Sequence, residues 1–157
     1  MTHNEFTQYT KYIGKSYKKL PKGLKHQDLE TEDDTWKAYT EKSNTKLFGI
    51  KGYMEYDYSK MEMSEYGTKA NEIYCAKWLI GDPNNKNYKK IRSKLVKIYG
   101  NYDDKEITDS DDDDDLDYDE KYIEYSWDNK NGMDITLTTY ENDEEIAWVE
   151  IDWTKTE

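Results

Sequence analysis

The chain has 157 residues and a formal net charge of −12, with 37% charged residues and only 34% hydrophobic ones. That length suits one domain, and a lone cysteine, Cys75, excludes a disulfide framework or a multi-cysteine zinc site. No window approaches 18 apolar residues, which excludes a membrane-spanning helix.

A core is still expected, because sixteen Tyr, five Trp and two Phe make up 15% of the chain. Such rings bury large areas while Tyr and Trp keep a polar handle. The acidity is local: residues 101–120 carry twelve acids and one lysine, leaving a net charge of about −1 on the rest. The start, MTHNEFTQYTKYIG, lacks the apolar stretch of a signal peptide. The expected compartment is therefore the cytoplasm as the chain stands, or an extracellular or lipid-anchored site if Met1 replaces a removed signal.

In chain order, Phe6, Tyr9 and Ile13 recur at helical spacing and Gly14 stands where a glycine ends a short helix. Ser16 offers an N-cap to a second turn before Pro21 and Gly23. Residues 25–45 are weakly patterned and read as a surface connection, with one turn around Trp36 and Tyr39. From Lys46 to Lys60 the period becomes two, with Phe48, Ile50, Met54, Tyr56 and Tyr58 on one parity, which predicts a strand with one dry face.

Ile73–Ile80 is apolar on both parities and reads as a central strand. Tyr88, Ile91, Leu95, Ile98 and Tyr99 share one face of a predicted helix over Tyr88–Tyr99, capped by Asn87 and ended by Gly100. Its other face carries Lys89, Lys90, Arg92, Lys94 and Lys97. These could meet phosphates, but pairing with the nearby aspartates or plain solvation is the expected use. Residues 103–120 read as an acidic mobile loop. Three alternating strands follow, over 122–128, 133–140 and 146–153, with turns at 128–132 and 141–143. The expectation is one α+β domain over 1–157: an antiparallel meander of about five strands with two helices packed on one face, in the order α-β-β-α-β-β-β.

With those elements in place, IRSKLVKIYGNY, YIEYSWDN, MDITLTTY and IAWVEIDW resemble the ending of small bacterial α+β lipoproteins. These are similar in architecture to β-lactamase inhibitory proteins and to immunity proteins of polymorphic toxins. YIGKSYKKL and LFGIKGYMEYDY resemble the first helical motif and first strand of that group, so about two-thirds of the chain is covered by short motifs. The resemblance implies a helical layer over a curved sheet whose other face grips a target protein. The chain departs from the group in its long acidic insertion and in the absence of a signal sequence.

If the dry parity faces the helices, Tyr53, Glu55, Asp57, Tyr122, Glu124, Tyr140, Trp148, Glu150 and Asp152 face outward together. Aromatic anchors ringed by acids suit a protein interface with a basic partner; the alternative is a solvated face with ordinary cross-strand pairs. Asp109–Glu120 resembles a calcium-binding loop, but Asp114 stands where the sharp turn needs glycine. Asp111, Asp112, Asp113, Asp114 and Asp115 are therefore expected to be solvated or to assist against a basic partner, with no metal and no cofactor. His3 and His26 lie in poorly patterned regions, and Cys75 reads as an inert buried thiol, so no catalytic set is expected. The expected function is a non-catalytic inhibitor, most nearly an immunity protein, that makes no direct nucleic-acid contact. The alternatives are an extracellular lipoprotein-type domain with a structural or ligand-binding role, and an acidic DNA mimic.

Overall fold

Alternation of aromatic with polar residues along the strands dictates a sheet with one dry face, and that face dictates where the helices lie. The computed structural model describes residues 6–22, 24–28, 36–80, 85–116, 120–142 and 145–156, with the backbone alone at 25–28, 36–45, 85–86, 142, 145 and 147. Its strands are β1 (Lys25–Asp28), β2 (Trp36–Leu47), β3 (Ile50–Ser59), β4 (Ile73–Ile80), β5 (Asp104–Asp109), β6 (Glu120–Lys130), β7 (Met133–Asn142) and β8 (Glu145–Lys155). They form one antiparallel sheet in the order β1-β2-β3-β4-β8-β7-β6-β5.

The fold is α+β, as expected, but among the described residues the sheet has eight strands where about five were expected. The additions are β1, β2 and β5. In β1 and β2 the polar sequence carries no alternation, and the ladder with β3 alone reveals them. β5 lies inside the segment expected to be a loop. It is the sheet's charged edge, half of its ladder groups supplied by β6, and charge on an edge discourages pairing with other chains.

The first strand also starts later than its pattern suggests. Phe48 and Gly49 have φ of 55° and 79° and form the turn between β2 and β3. Gly49 adopts that conformation freely; Phe48 is held in it by its surroundings. Its ring meets Phe6 edge-on at 5.2 Å, and its carbonyl accepts a 2.8 Å hydrogen bond from Lys90 Nζ.

Two pieces cover the dry face. α1 (Thr7–Thr10) is a single turn, ending before the Ile13 that the helical spacing of Phe6, Tyr9 and Ile13 predicts it to reach, and a 3₁₀ turn at Tyr17–Lys19 follows, with Ser16 Oγ accepting from Lys18 N. Phe6 is fully buried against Tyr99 and Trp153, while Tyr12 and Tyr17 lie on Tyr56 and Tyr58 of β3, their ring centroids 5.7 and 4.4 Å apart. This segment is joined to the start of β4 through Gly14 N to Ile73 O at 2.7 Å.

The second piece is α2 (Asn85–Tyr99), which begins earlier than the expected cap at Asn87 and buries Tyr88, Ile91, Leu95 and Tyr99. Gly100, at φ 89°, ends it where the sequence places the C′ glycine, its N–H bonded to Val96 O. Two indoles then fix the helix end on the sheet. Trp127 Nε1 donates to Gly100 O at 2.8 Å, and Trp153 Nε1 donates to Tyr99 Oη at 3.0 Å. Three tryptophans, Trp78, Trp127 and Trp153, are thus fully buried among Met54, Ile135, Leu137 and Ile151.

The helix cations expected to be solvated or paired with aspartates are used inside the fold in part. Arg92 donates to Tyr125 Oη at 2.9 Å and lies over the Tyr88 ring, and Lys94 lies over Phe48.

Gly52 sits under Trp78: a Cβ there would come 2.5 Å from Trp78 Nε1 and 2.6 Å from Leu79 O. Neither the fully buried indole nor the strand carbonyl can give way cheaply. Gly52→Ala is expected to cost about 1–3 kcal/mol through overpacking, read as a lowered urea midpoint with unchanged slope.

Candidate functional site

The register places every residue of the predicted outward parity on the face opposite the helices. Across the sheet these side chains form rows. The row nearest the tip of the β5–β6 hairpin is Thr108, Tyr122, Tyr140 and Trp148. The next is Glu106, Glu124, Thr138, Glu150, Leu79 and Tyr53, and the third is Asp104, Ser126, Thr136, Asp152, Lys77 and Glu55. A fourth holds Asp134, Thr154, Cys75 and Asp57.

In the first row the rings form one aromatic cluster. Centroids are 5.0 Å apart for Tyr122–Tyr140, 6.0 Å for Tyr122–Trp148 and 6.3 Å for Tyr140–Trp148, the last pair stacked. All three are half-buried, so Trp148, expected to stand exposed, keeps only part of its surface open. Tyr53 is the open aromatic of the face at 46% exposure.

The acidic run leaves the sheet at the same end, since Asp109 pairs with Lys121 one step beyond this row. Asp109 and Asp113 side chains accept from the Asp111 and Asp115 amides at 2.9 Å, turns that leave Asp111, Asp112, Asp114 and Asp115 exposed and Asp113 half-buried. Among the described residues no group of three or more His, Cys, Asp or Glu is placed to hold a metal ion.

The centre of the face differs from the expectation. Asp57, predicted to point into solvent, is 2% exposed, and Asp152 is half-buried. Lys77 lies between them on β4, with Nζ 3.3 Å from Asp57 Oδ2 and 3.8 Å from Glu55 Oε2. Asp57 Oδ1 and Asp152 Oδ1 are buried and take no hydrogen bond from a protein donor. A proton resolves this. Burial, then the hydrogen-bonded neighbour Glu55, pushes the Asp57 carboxyl up to about 8, and burial, then Glu150, pushes Asp152 up to about 9. Burial works against the charge on Lys77, yet Asp57 and the acids beside it hold its ammonium above the ordinary value. One charged lysine beside two carboxyls that hold their protons is therefore the state near neutrality.

Cys75 lies in the same patch, 3% exposed, with burial raising its thiol well above the ordinary value and Thr154 Oγ1 donating to Sγ at 3.5 Å. It has the character of a neutral, unreactive thiol. His3 lies outside the described residues, as does the side chain of His26.

Sequence reasoning found the face but missed a hollow in it. Glu106, Thr108, Tyr122, Glu124 and Thr138 line a concavity of about 320 Å³ over β5, β6 and β7. It exists because the short side chain of Thr138 stands beside long ones, and recognising it requires β5, which the pattern hides. Burial, then Glu106 and Asp104, raises the Glu124 carboxyl.

Comparison with protein-family models, with curated proteins and with solved structures found no match.

Two outcomes follow from the central patch. Asp57 and Asp152 have folded-state values above their unfolded values near 3.8, so the stability they contribute is complete below about pH 4 and is lost as pH rises through 8–9. Urea unfolding should show stability falling over that window by up to about 1.4 kcal/mol per pH unit for each carboxyl. Asp57→Asn should flatten the slope. Lys77→Met removes the cation beside Asp57; because that carboxyl already holds its proton near neutrality, the loss of stability should be small at pH 7 and grow as pH rises past about 8, where the wild-type carboxylate ionises against the ammonium.

Proposed function

We propose that the chain is a non-catalytic protein-binding inhibitor of the immunity-protein kind, which neutralises a toxin or enzyme by docking its outer sheet face on a basic surface. The observation that carries this reading is the half-buried cluster of Tyr122, Tyr140 and Trp148, flanked by Glu124 and Glu150 on one side and by the acidic run on the other. Rigid rings give contact area at little entropic cost, and interface hot spots concentrate on such anchors. Long acidic side chains around them steer a basic partner and sharpen the choice of partner more than they add affinity. The short motifs of α2 and the last three strands resemble the ending of small bacterial α+β lipoproteins, which are similar in architecture to immunity proteins, and this supports the same reading. The acids of this face do not suit a nucleic-acid mimic, because Asp57 is buried, Asp152 is half-buried, and both hold protons instead of lying ionised in solvent.

The test uses capture from the source organism's lysate and culture fluid, followed by affinity measurement on the captured protein. Trp148→Ala and Tyr140→Ala should each weaken binding by about 2 kcal/mol or more, roughly thirtyfold, while circular dichroism and the thermal midpoint stay close to wild type. Deleting residues 109–119 should slow association and reduce its salt dependence, with little change in dissociation. Wild-type affinity in both aromatic variants would remove the sheet face from the function.

A further inference from the structure

The hollow beside the aromatic cluster is built against its own stability. Glu106 and Glu124 stand directly opposite each other on β5 and β6, with Asp104 opposite Ser126 one row further on, and like charges facing across a strand pair are destabilising. The side chains lining the concavity are these two glutamates, the ring of Tyr122 and the hydroxyls of Thr108 and Thr138; no cation is among them. Its volume, about 320 Å³, lies at the small end of ligand clefts, which run about 300–1,000 Å³. That is room for one long side chain.

We propose that this concavity seats the guanidinium of an arginine on the partner protein, flat against Tyr122 and between the carboxylates of Glu106 and Glu124. The inference rests on the reading of the outer face as the docking surface and adds the chemistry of the residue it receives. Arginine fits better than lysine on three counts. Its planar head stacks on an aromatic ring, its fork of donors can serve two carboxylates at once, and it is more weakly hydrated than an ammonium. A hard divalent cation fits poorly, since two carboxylates and a ring give too few oxygens. The bound arginine would relieve the Glu106–Glu124 repulsion, so the face is strained when free and relaxed when occupied.

The probe is acetyl-tetraarginine-amide, with tetralysine as its control, titrated into the full chain and followed by NMR at low salt. Saturable shifts at the Tyr122 ring and the Thr108 and Thr138 amides are expected with tetraarginine, and weaker ones with tetralysine. Glu124→Gln should weaken the response roughly tenfold, the loss of one charge-assisted hydrogen bond. This variant should fold at least as well as wild type, because it removes a like-charge pair. Shifts confined to Asp111–Asp115, or equal responses to the two peptides, would overturn the proposal by showing attraction to charge without a seat. The docking reading and the arginine seat fail separately. A captured partner lost with Trp148→Ala but untouched by Glu124→Gln leaves the face in place and removes the arginine seat.

Discussion

One constraint governs this molecule: an eight-stranded sheet has a single thin covering layer. Eight strands at about 4.8 Å span roughly 34 Å, whereas a helix is only about 10–12 Å across. The chain meets the shortfall with rings. α2 sits where the Trp127 and Trp153 indoles hold its last turn, and the segment from Phe6 to Tyr17 lays its own aromatic side chains over β3 and β8. The edge beyond α2 stays open, and Ile107 of β5 is 48% exposed there.

Among the described residues both helices lie on one side, so the opposite face is held mainly by its own side chains, with Tyr66 of the β3–β4 loop stacked on Tyr74 near Asp57, and its chemistry follows from that. The centre is held by Lys77 beside Asp57 and Asp152, whose carboxyls hold their protons, which keeps Asp57 buried without a net cluster of negative charge. Toward the acidic run the same face gives up this compensation. Tyr122, Tyr140 and Trp148 stay partly open, and Glu106 opposes Glu124 with no cation lining the hollow between them. On the proposed reading, the contrast between a neutralised centre and an uncompensated end is what assigns docking to this part of the face. Natural proteins accept local instability where a partner will relieve it.

The parts of this arrangement that a sequence can disclose are those governed by period. Met54, Tyr56 and Tyr58, and Val149, Ile151 and Trp153, alternate strictly, so their face and that of their neighbours were legible. So was the end of α2 at Gly100. β5 was not, because DKEITD offers one apolar residue and depends on β6 for its conformation. Nor was the burial of Asp57. Parity assigns it to the outer side, but the cover depends on the register shift that brings Tyr58 opposite Ile73 and on Lys77 from the next strand. The hollow was hidden for the same reason, since Glu106, Glu124 and Thr138 meet only through two strand pairings.

The most direct measurement is carbodiimide labelling of carboxyl groups, with the chain alone and in complex with its captured partner, located by mass spectrometry. Glu106, Glu124 and Glu150 should lose reactivity in the complex, while Glu62 and Glu65, in the loop between β3 and β4, should keep theirs. Unchanged labelling at the three glutamates, with protection confined to the aspartates of 111–115, would contradict the account by placing the partner on the acidic run instead of the sheet.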